Sequence, residues 1–133
     1  MAKSNLVLQS AAVAIRKNLV CLVTTSSGKG WIIPKGHRES GDSSRKTARI
    51  EAWEEAGVVG PLHDEPVGTY VYERSGKTYR VTVYVMQVTT IFDRWPEDKK
   101  RKRRWLPFHS ACRHIDHPKL RKLIRRVWLR KAG

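Results

Sequence analysis

Short apolar runs separated by turn residues make up much of the chain, a pattern typical of a β-rich protein. The runs are rich in β-branched, aromatic or small residues, and Gly, Pro, Asn and Ser residues lie between them. Pro34 closes the third run, and Ser75-Gly76 supplies a tight turn between the fourth and the fifth. The pattern predicts strands at residues 6–15, 19–25, 31–33, 67–72, 79–92 and 105–108.

Two segments have helical periodicity instead. The first spans 44–56, where Asp42 or Ser43 provides an N-cap and Gly57 a stop. The second begins at His117-Pro118, with proline in its first turn. The apolar residues that share one face of this second helix are Leu120, Leu123, Ile124, Val127 and Trp128. Strands with two separated helices predict an α+β fold, an α/β/α sandwich with a mixed β-sheet between helices.

The length of the chain predicts one domain. Because 133 residues fill one hydrophobic core and little more, we expect a single domain over 1–133. No apolar run approaches the ~20 residues that span a bilayer. Residues 1–10 lack the apolar stretch and the small-residue cleavage site of a secretory signal, which predicts a cytoplasmic protein.

The charge narrows the class of partner. The chain has 27 Lys and Arg against 12 Asp and Glu, a formal net charge of +15. Such an excess repels itself and favours a polyanionic partner. Nucleic acid, an anionic membrane surface and a small multi-phosphate ligand all satisfy this condition, and the charge alone does not choose between them.

Three glutamates of the predicted first helix share one face. Glu54 and Glu55 follow Glu51 at i+3 and i+4, so the three carboxylates form a narrow line, here called the acidic stripe. Like charges at this spacing cost a helix roughly 0.2–0.5 kcal/mol per pair. The stripe also lies toward the C-terminal end, where the helix dipole disfavours anions. A compensating cation is therefore expected, and oxygen ligands suit Mg²⁺ or Mn²⁺.

Residues 36–58 resemble the Nudix box, G-x5-E-x7-R-E-U-x-E-E-x-G-U, in which U is a bulky apolar residue. Gly36 opens the pattern, Val58 fills its last apolar place, and the acidic stripe and Gly57 take fixed positions between them. The resemblance extends over most of the chain, about 10–105. It implies a Nudix-type α/β/α sandwich and a metal-dependent pyrophosphohydrolase that cuts diphosphate bonds.

Three positions depart from the box. Asp42 stands in place of the first glutamate, Ile50 in place of the arginine, and Ala52 is small for an apolar place. Position 50 precedes Glu54 by one helical turn, from which an arginine can hold that carboxylate by a charge-assisted bond. Arg49 is turned about 100° away on the helix, so we expect slower turnover.

The resemblance also assigns roles within the box. In Nudix enzymes the loop and helix bind the metal that bridges the substrate diphosphate. This implies that Glu51 and Glu55 bind Mg²⁺ or Mn²⁺, helped by the backbone carbonyl of Gly36. It implies Glu54 as the general base that activates water, with Glu51 as the rival for that role. A bound metal neutralises phosphate charge and lowers the pKa of its water.

Later segments resemble one branch of the family, the diphosphoinositol polyphosphate phosphohydrolases, which also take diadenosine polyphosphates. The similar segments are the strand at 79–85, the turn at 93–95 and the six cations at 99–104, here called the basic run. In that branch a basic run before a tryptophan helps hold the phosphorylated ligand. By position, Arg80, Lys102 and Arg103 are substrate-binding candidates, and Arg38 in the box loop is a fourth.

A different function fits the same charge, namely an RNA 5′-triphosphate pyrophosphohydrolase, or an RNA-binding protein with a weakened Nudix site. The basic helix at 119–131 favours it. The sequence has no RNA-binding motif and no aromatic stacking platform, which favours a small polyphosphate substrate over nucleic acid. The same helix has the shape of a membrane-surface helix but a single tryptophan and a modest apolar area.

Overall fold

The computed structural model describes residues 5–132, with side chains to Arg130. Its elements are, in chain order, β1 Leu6–Arg16, β2 Leu19–Thr24, β3 Trp31–Ile32, β4 Lys35–His37, α1 Ser44–Ala56, β5 Val58–Val59, β6 Gly68–Arg74, β7 Lys77–Gln87, β8 Thr90–Ile91, β9 Arg103–Pro107, α2 Phe108–His114 and α3 Pro118–Ala132. Within these residues a seven-stranded mixed sheet has the order β3-β2-β1-β7-β6, with β4 paired to β1 and β9 to β2. Strands β1 and β7 are parallel, while β5 and β8 form a separate pair.

Helices cover both faces of this sheet, which confirms the predicted α/β/α sandwich. On one face α1 packs through its small residues Ala48, Ala52 and Ala56, all fully buried in one core cluster. Alanines let the helix lie close to the strands, which brings the carboxylates of its acidic stripe against β4. On the other face, side chains of α2 and α3 such as Phe108 and Ile124 are buried in a second cluster.

The ends of α1 agree with the prediction, and the bounds 44–56 are confirmed. Ser43 is the N-cap, and its Oγ accepts a hydrogen bond from the Lys46 backbone N–H at 3.0 Å. Asp42 instead forms an ion pair with the Lys46 side chain at 3.1 Å. At the other end Gly57 has φ 66°, and a Cβ there would lie 2.9 Å from the Trp95 ring.

The predicted strand 79–92 is in fact two strands. Strand β7 ends at Gln87, opposite Ile15, because its partner β1 ends at the next residue. The chain then turns, and β8 pairs with β5 in a separate two-stranded sheet. The apolar run continues through the turn, so its periodicity gives no sign of the break.

Two further elements differ from prediction. The predicted loop 35–41 contains β4, in which Gly36 pairs with Ser10 of β1. The predicted strand 105–108 is β9, which starts at Arg103 and therefore includes the end of the basic run. The chain then turns directly into α2, a short helix with too weak a periodicity to be predicted.

Helix α3 has the predicted apolar face with one exception. Leu120, Leu123, Ile124 and Val127 are buried, but Trp128 is 42% exposed and lies at the edge, with its ring 5.3 Å from that of Phe108. In the described part of the chain no helix is both long and apolar enough to cross a membrane.

Candidate active site

The acidic stripe lies in the last turns of α1, next to the loop that carries Gly36. Glu55 is almost fully buried, with 6% of its surface exposed, while Glu51 and Glu54 are half-buried. Burial of carboxylates is costly unless they are paired or hydrogen-bonded, so their partners decide what the stripe can do.

Gly36 leaves room for one of these carboxylates. A Cβ built at Gly36 would collide with the Glu51 carboxyl carbon and with both of its oxygens. Its backbone follows ordinary extended pairing with Ser10, so the glycine is required for close approach and not for an unusual dihedral angle. Strand β4 and helix α1 thus meet at the point where the predicted metal ligands lie together.

Both oxygens of Glu55 are engaged. Its Oε1 accepts a hydrogen bond from the backbone N–H of Lys35 at 3.1 Å. Its Oε2 accepts one from the Arg101 guanidinium at 3.0 Å. This carboxylate is therefore held in one orientation by β4 on one side and by the basic run on the other.

A loop after β8 adds two residues that were not predicted from the sequence, Glu97 and Arg101. The Glu97 backbone N–H donates to the Glu54 carbonyl at 2.9 Å, and its carboxylate accepts from Arg101 at 3.0 Å. Trp95 anchors the same loop, since its indole N–H donates to the Glu55 carbonyl at 2.9 Å. The i,i+4 spacing of Glu97 and Arg101 was visible in the sequence, but not its contact with α1.

Burial and mutual repulsion raise the pKa values of two carboxylates of the acidic stripe. Burial, as the largest cause, and the neighbouring carboxylates of Glu55, Glu54 and Glu97 together raise the pKa of Glu51 to about 7, while Arg101 opposes the rise. Burial also raises the pKa of Glu55 to about 7, although Arg101 and the Lys35 N–H both lower it. The site therefore holds more negative charge than its resident cation balances.

This donor set fits a divalent metal ion. Its oxygens are hard ligands of the kind Mg²⁺ and Mn²⁺ prefer, and the missing Cβ of Gly36 leaves the Glu51 carboxylate close to the β4 backbone. Among residues 5–132, no three acidic, histidine or cysteine side chains already converge into a ligand cluster. A cation here would then take further ligands from backbone, water or substrate, as Mg²⁺ commonly does.

A cavity of about 220 Å³ opens beside Glu55. Its wall includes three basic residues, Lys35, Arg74 and Arg101, together with His117, Tyr70 and Tyr72. The Lys35 ammonium donates to the Tyr72 hydroxyl at 3.1 Å. Apart from Arg101 in the basic run, none of these residues was a candidate from sequence, because β4, β6 and the residue before α3 come together only in the fold.

Two of the predicted substrate-binding residues lie near the N-terminal end of α1. Arg80 pairs in register with Leu8 of β1, whose carbonyl accepts from the Arg38 backbone N–H at 3.0 Å. The Arg38 side chain donates to the Asp42 carbonyl at 2.7 Å. Both arginines are exposed.

The other two predicted substrate-binding residues, Lys102 and Arg103, lie at the opposite end of α1. Arg103 donates to the Ala56 and Phe92 carbonyls, both at 2.8 Å, and its guanidinium lies 4.2 Å from the Trp95 ring. It therefore caps the C-terminal end of α1. Lys102 is exposed. Since the 13 residues of α1 extend roughly 20 Å, the structure does not bring the two pairs into one cluster.

Comparison with known proteins gives a consistent result. The family model described as the NUDIX domain matches residues 7–127. Nudix hydrolase 4 of Arabidopsis thaliana is 34% identical over 115 residues, which is 85% of this chain and 51% of that protein. Diphosphoinositol polyphosphate phosphohydrolase 2 of Mus musculus is 34% identical over 85 residues, which is 62% of this chain and 46% of that protein.

Solved structures share the fold. A C. elegans Ap4A hydrolase binary complex superposes with a TM-score of 0.84 at 24% identity and covers 96% of this chain and 98% of that one. The E. coli ORF135 protein superposes with a TM-score of 0.75 at 19% identity, over 96% of this chain and 93% of that one. The chain spans about half the length of the curated relatives that it matches.

Proposed function

Because this chain belongs to the NUDIX domain family, we propose that it is a metal-dependent pyrophosphohydrolase that cuts diphosphate bonds in a small, phosphate-rich substrate. The observation that carries the proposal is that the acidic stripe and a cavity lined by cations meet at Glu55. A diphosphate needs both features, since positive groups hold its charge while a carboxylate activates water.

In the proposed reaction, different residues bind the metal, activate water and hold the phosphates. Glu51 and Glu55, with the Gly36 carbonyl, would hold Mg²⁺ or Mn²⁺, which supplies charge neutralisation and an acidified water when bound. Glu54 accepts the proton of the attacking water, and Glu51 is its rival for this role. Lys35 and Arg74 in the cavity wall hold the phosphates that do not react. The reaction then depends on positioning and electrostatics more than on covalent catalysis.

Metal binding should stabilise the protein, because a cation relieves the repulsion within the stripe. At a metal concentration 100 times the Kd, the free energy of unfolding rises by about 2.7 kcal/mol, which shifts a thermal melt by several degrees. Melts at pH 8 with and without Mg²⁺ or Mn²⁺ should show this shift, and Glu55→Gln should reduce it. Glu73→Gln, an exposed glutamate of β6, is the matched control and should keep the full shift. An identical melt with and without metal would contradict the assignment.

The substrate class we favour is a diphosphoinositol polyphosphate or a (di)nucleoside polyphosphate. Two observations support it: the similarity to a diphosphoinositol polyphosphate phosphohydrolase and the formal charge of +15. Many of the cations are exposed, including Arg38, Arg80 and Lys102, and can meet the outer phosphates of a large anionic ligand. Arg103 is the weakest of the four original candidates because its guanidinium already caps α1.

A substrate panel tests this proposal. Inositol pyrophosphate, diadenosine polyphosphate, nucleoside triphosphate, ADP-ribose and 5′-triphosphate RNA are each incubated with Mg²⁺ or Mn²⁺, and with chelator as the control. We expect the fastest turnover on one of the first two compounds and none with chelator. Turnover of the RNA with no hydrolysis of a small diphosphate would show that the substrate class is wrong.

A further inference from the structure

Arg101 stands apart from the other cations of the basic run. Lys99, Lys100, Lys102 and Arg104 are exposed, whereas the Arg101 side chain is only 15% exposed. Its guanidinium donates to Glu55 Oε2 at 3.0 Å, to Glu97 Oε1 at 3.0 Å and to the Thr24 carbonyl at 2.8 Å. It therefore joins helix α1, the loop after β8 and strand β2 through one planar group.

In the described residues, no Lys or Arg of helix α1 itself forms an ion pair with the acidic stripe. Position 50, from which a cation can reach the stripe, is Ile50. The cations of the first turns are engaged elsewhere, since Arg45 donates to the His63 and Asp64 carbonyls and Lys46 pairs with Asp42. Among residues 5–132, the acidic stripe forms one ion pair, between Glu55 and Arg101.

We propose that Arg101 is the positioning residue of the acidic stripe, which fixes the Glu55 carboxylate for metal binding from outside the helix. This inference rests on the proposed function only in calling Glu55 a metal ligand. The Glu97 carboxylate and the Thr24 carbonyl fix the guanidinium, and the guanidinium then fixes Glu55. A fork of several donors is required to do this, so a lysine can replace it only in part.

The test compares Arg101→Met with Arg113→Met, an exposed arginine of α2 that lies outside the basic run. The affinity for Mn²⁺ is measured by electron paramagnetic resonance without substrate, and kcat and KM are measured at saturating Mn²⁺. Loss of a residue that orients a metal ligand typically weakens metal binding about 10- to 100-fold. We expect that weakening in Arg101→Met, with a fall in kcat and little change in KM, and no change in Arg113→Met.

A second variant, Arg101→Lys, separates loss of the positioning contacts from a general loss of structure. It keeps the charge and should recover part of the Mn²⁺ affinity and of kcat. Unchanged or tighter Mn²⁺ binding in folded Arg101→Met would overturn the proposal, since it would make Arg101 a spectator or a competitor of the metal. If the unaltered protein hydrolyses no diphosphate but loses Mn²⁺ affinity on Arg101→Met, the proposed function fails while this inference stands.

Discussion

Replacing Glu54 with glutamine should lower kcat by roughly 10²-fold or more and leave metal binding largely intact. General base catalysis contributes about 10²- to 10⁴-fold in enzymes, and glutamine cannot accept the proton. Within the described residues the side chain of Glu54 accepts no hydrogen bond, whereas both oxygens of Glu55 are engaged. A free, half-buried carboxylate beside the metal ligands is suited to take a proton from water.

The measurement is steady-state kinetics on the best substrate of the panel, with Mn²⁺ affinity measured in parallel. Glu51→Gln is the comparison, and it should weaken Mn²⁺ binding because Glu51 is assigned as a ligand. If Glu51→Gln abolishes turnover and keeps Mn²⁺ affinity while Glu54→Gln has little effect on kcat, the two roles have been assigned the wrong way round.

Replacing Gly36 with alanine should reduce kcat/KM by about 10²-fold, although it adds one methyl group. That methyl group collides with the Glu51 carboxylate, which must move away from β4. A displacement of about 1 Å in a catalytic group can cost about 10²-fold in rate. Because the carboxylate is also an assigned metal ligand, Mn²⁺ affinity should fall as well.

Gly30→Ala provides the matched control. Gly30 lies in the loop before β3, and a Cβ there meets only the Thr25 side chain, at an ordinary contact distance of 3.6 Å. This variant should keep both kcat/KM and Mn²⁺ affinity. Full activity in Gly36→Ala would mean that Glu51 adapts freely and that its closeness to β4 has no catalytic importance.

The parts of the site predicted from sequence are those that depend on local spacing. Glu51, Glu54 and Glu55 share a face because they are three and four residues apart on one helix, and the capping residues Ser43 and Gly57 mark its ends. Their arrangement follows from helix geometry whatever the rest of the chain does. The alternating apolar runs predicted the sheet for the same reason.

The parts that were missed depend on contacts between distant segments. Lys35 reaches Glu55 through a backbone N–H, a group that every residue except proline carries and that no sequence pattern reveals. Arg101 and Arg103 look alike in the basic run, yet one binds the stripe and the other caps α1. Arg103 lies in β9 and pairs with Val23 of β2, whereas Arg101 precedes the strand and donates to the Thr24 carbonyl, so the folded sheet distinguishes the two.

The contacts of Arg101 also bear on the order in which the molecule folds. The residues it joins are 46 positions away at Glu55 and 77 positions away at Thr24. Closing such long loops costs chain entropy before the contact repays it, so local units such as the β6–β7 hairpin are favoured earlier. Docking of the segment that carries Trp95 and Arg101 should therefore come late. In a refolding experiment, recovery of Mn²⁺ affinity should lag behind recovery of secondary structure, so that a newly made chain gains its helix and sheet before it can hold its metal.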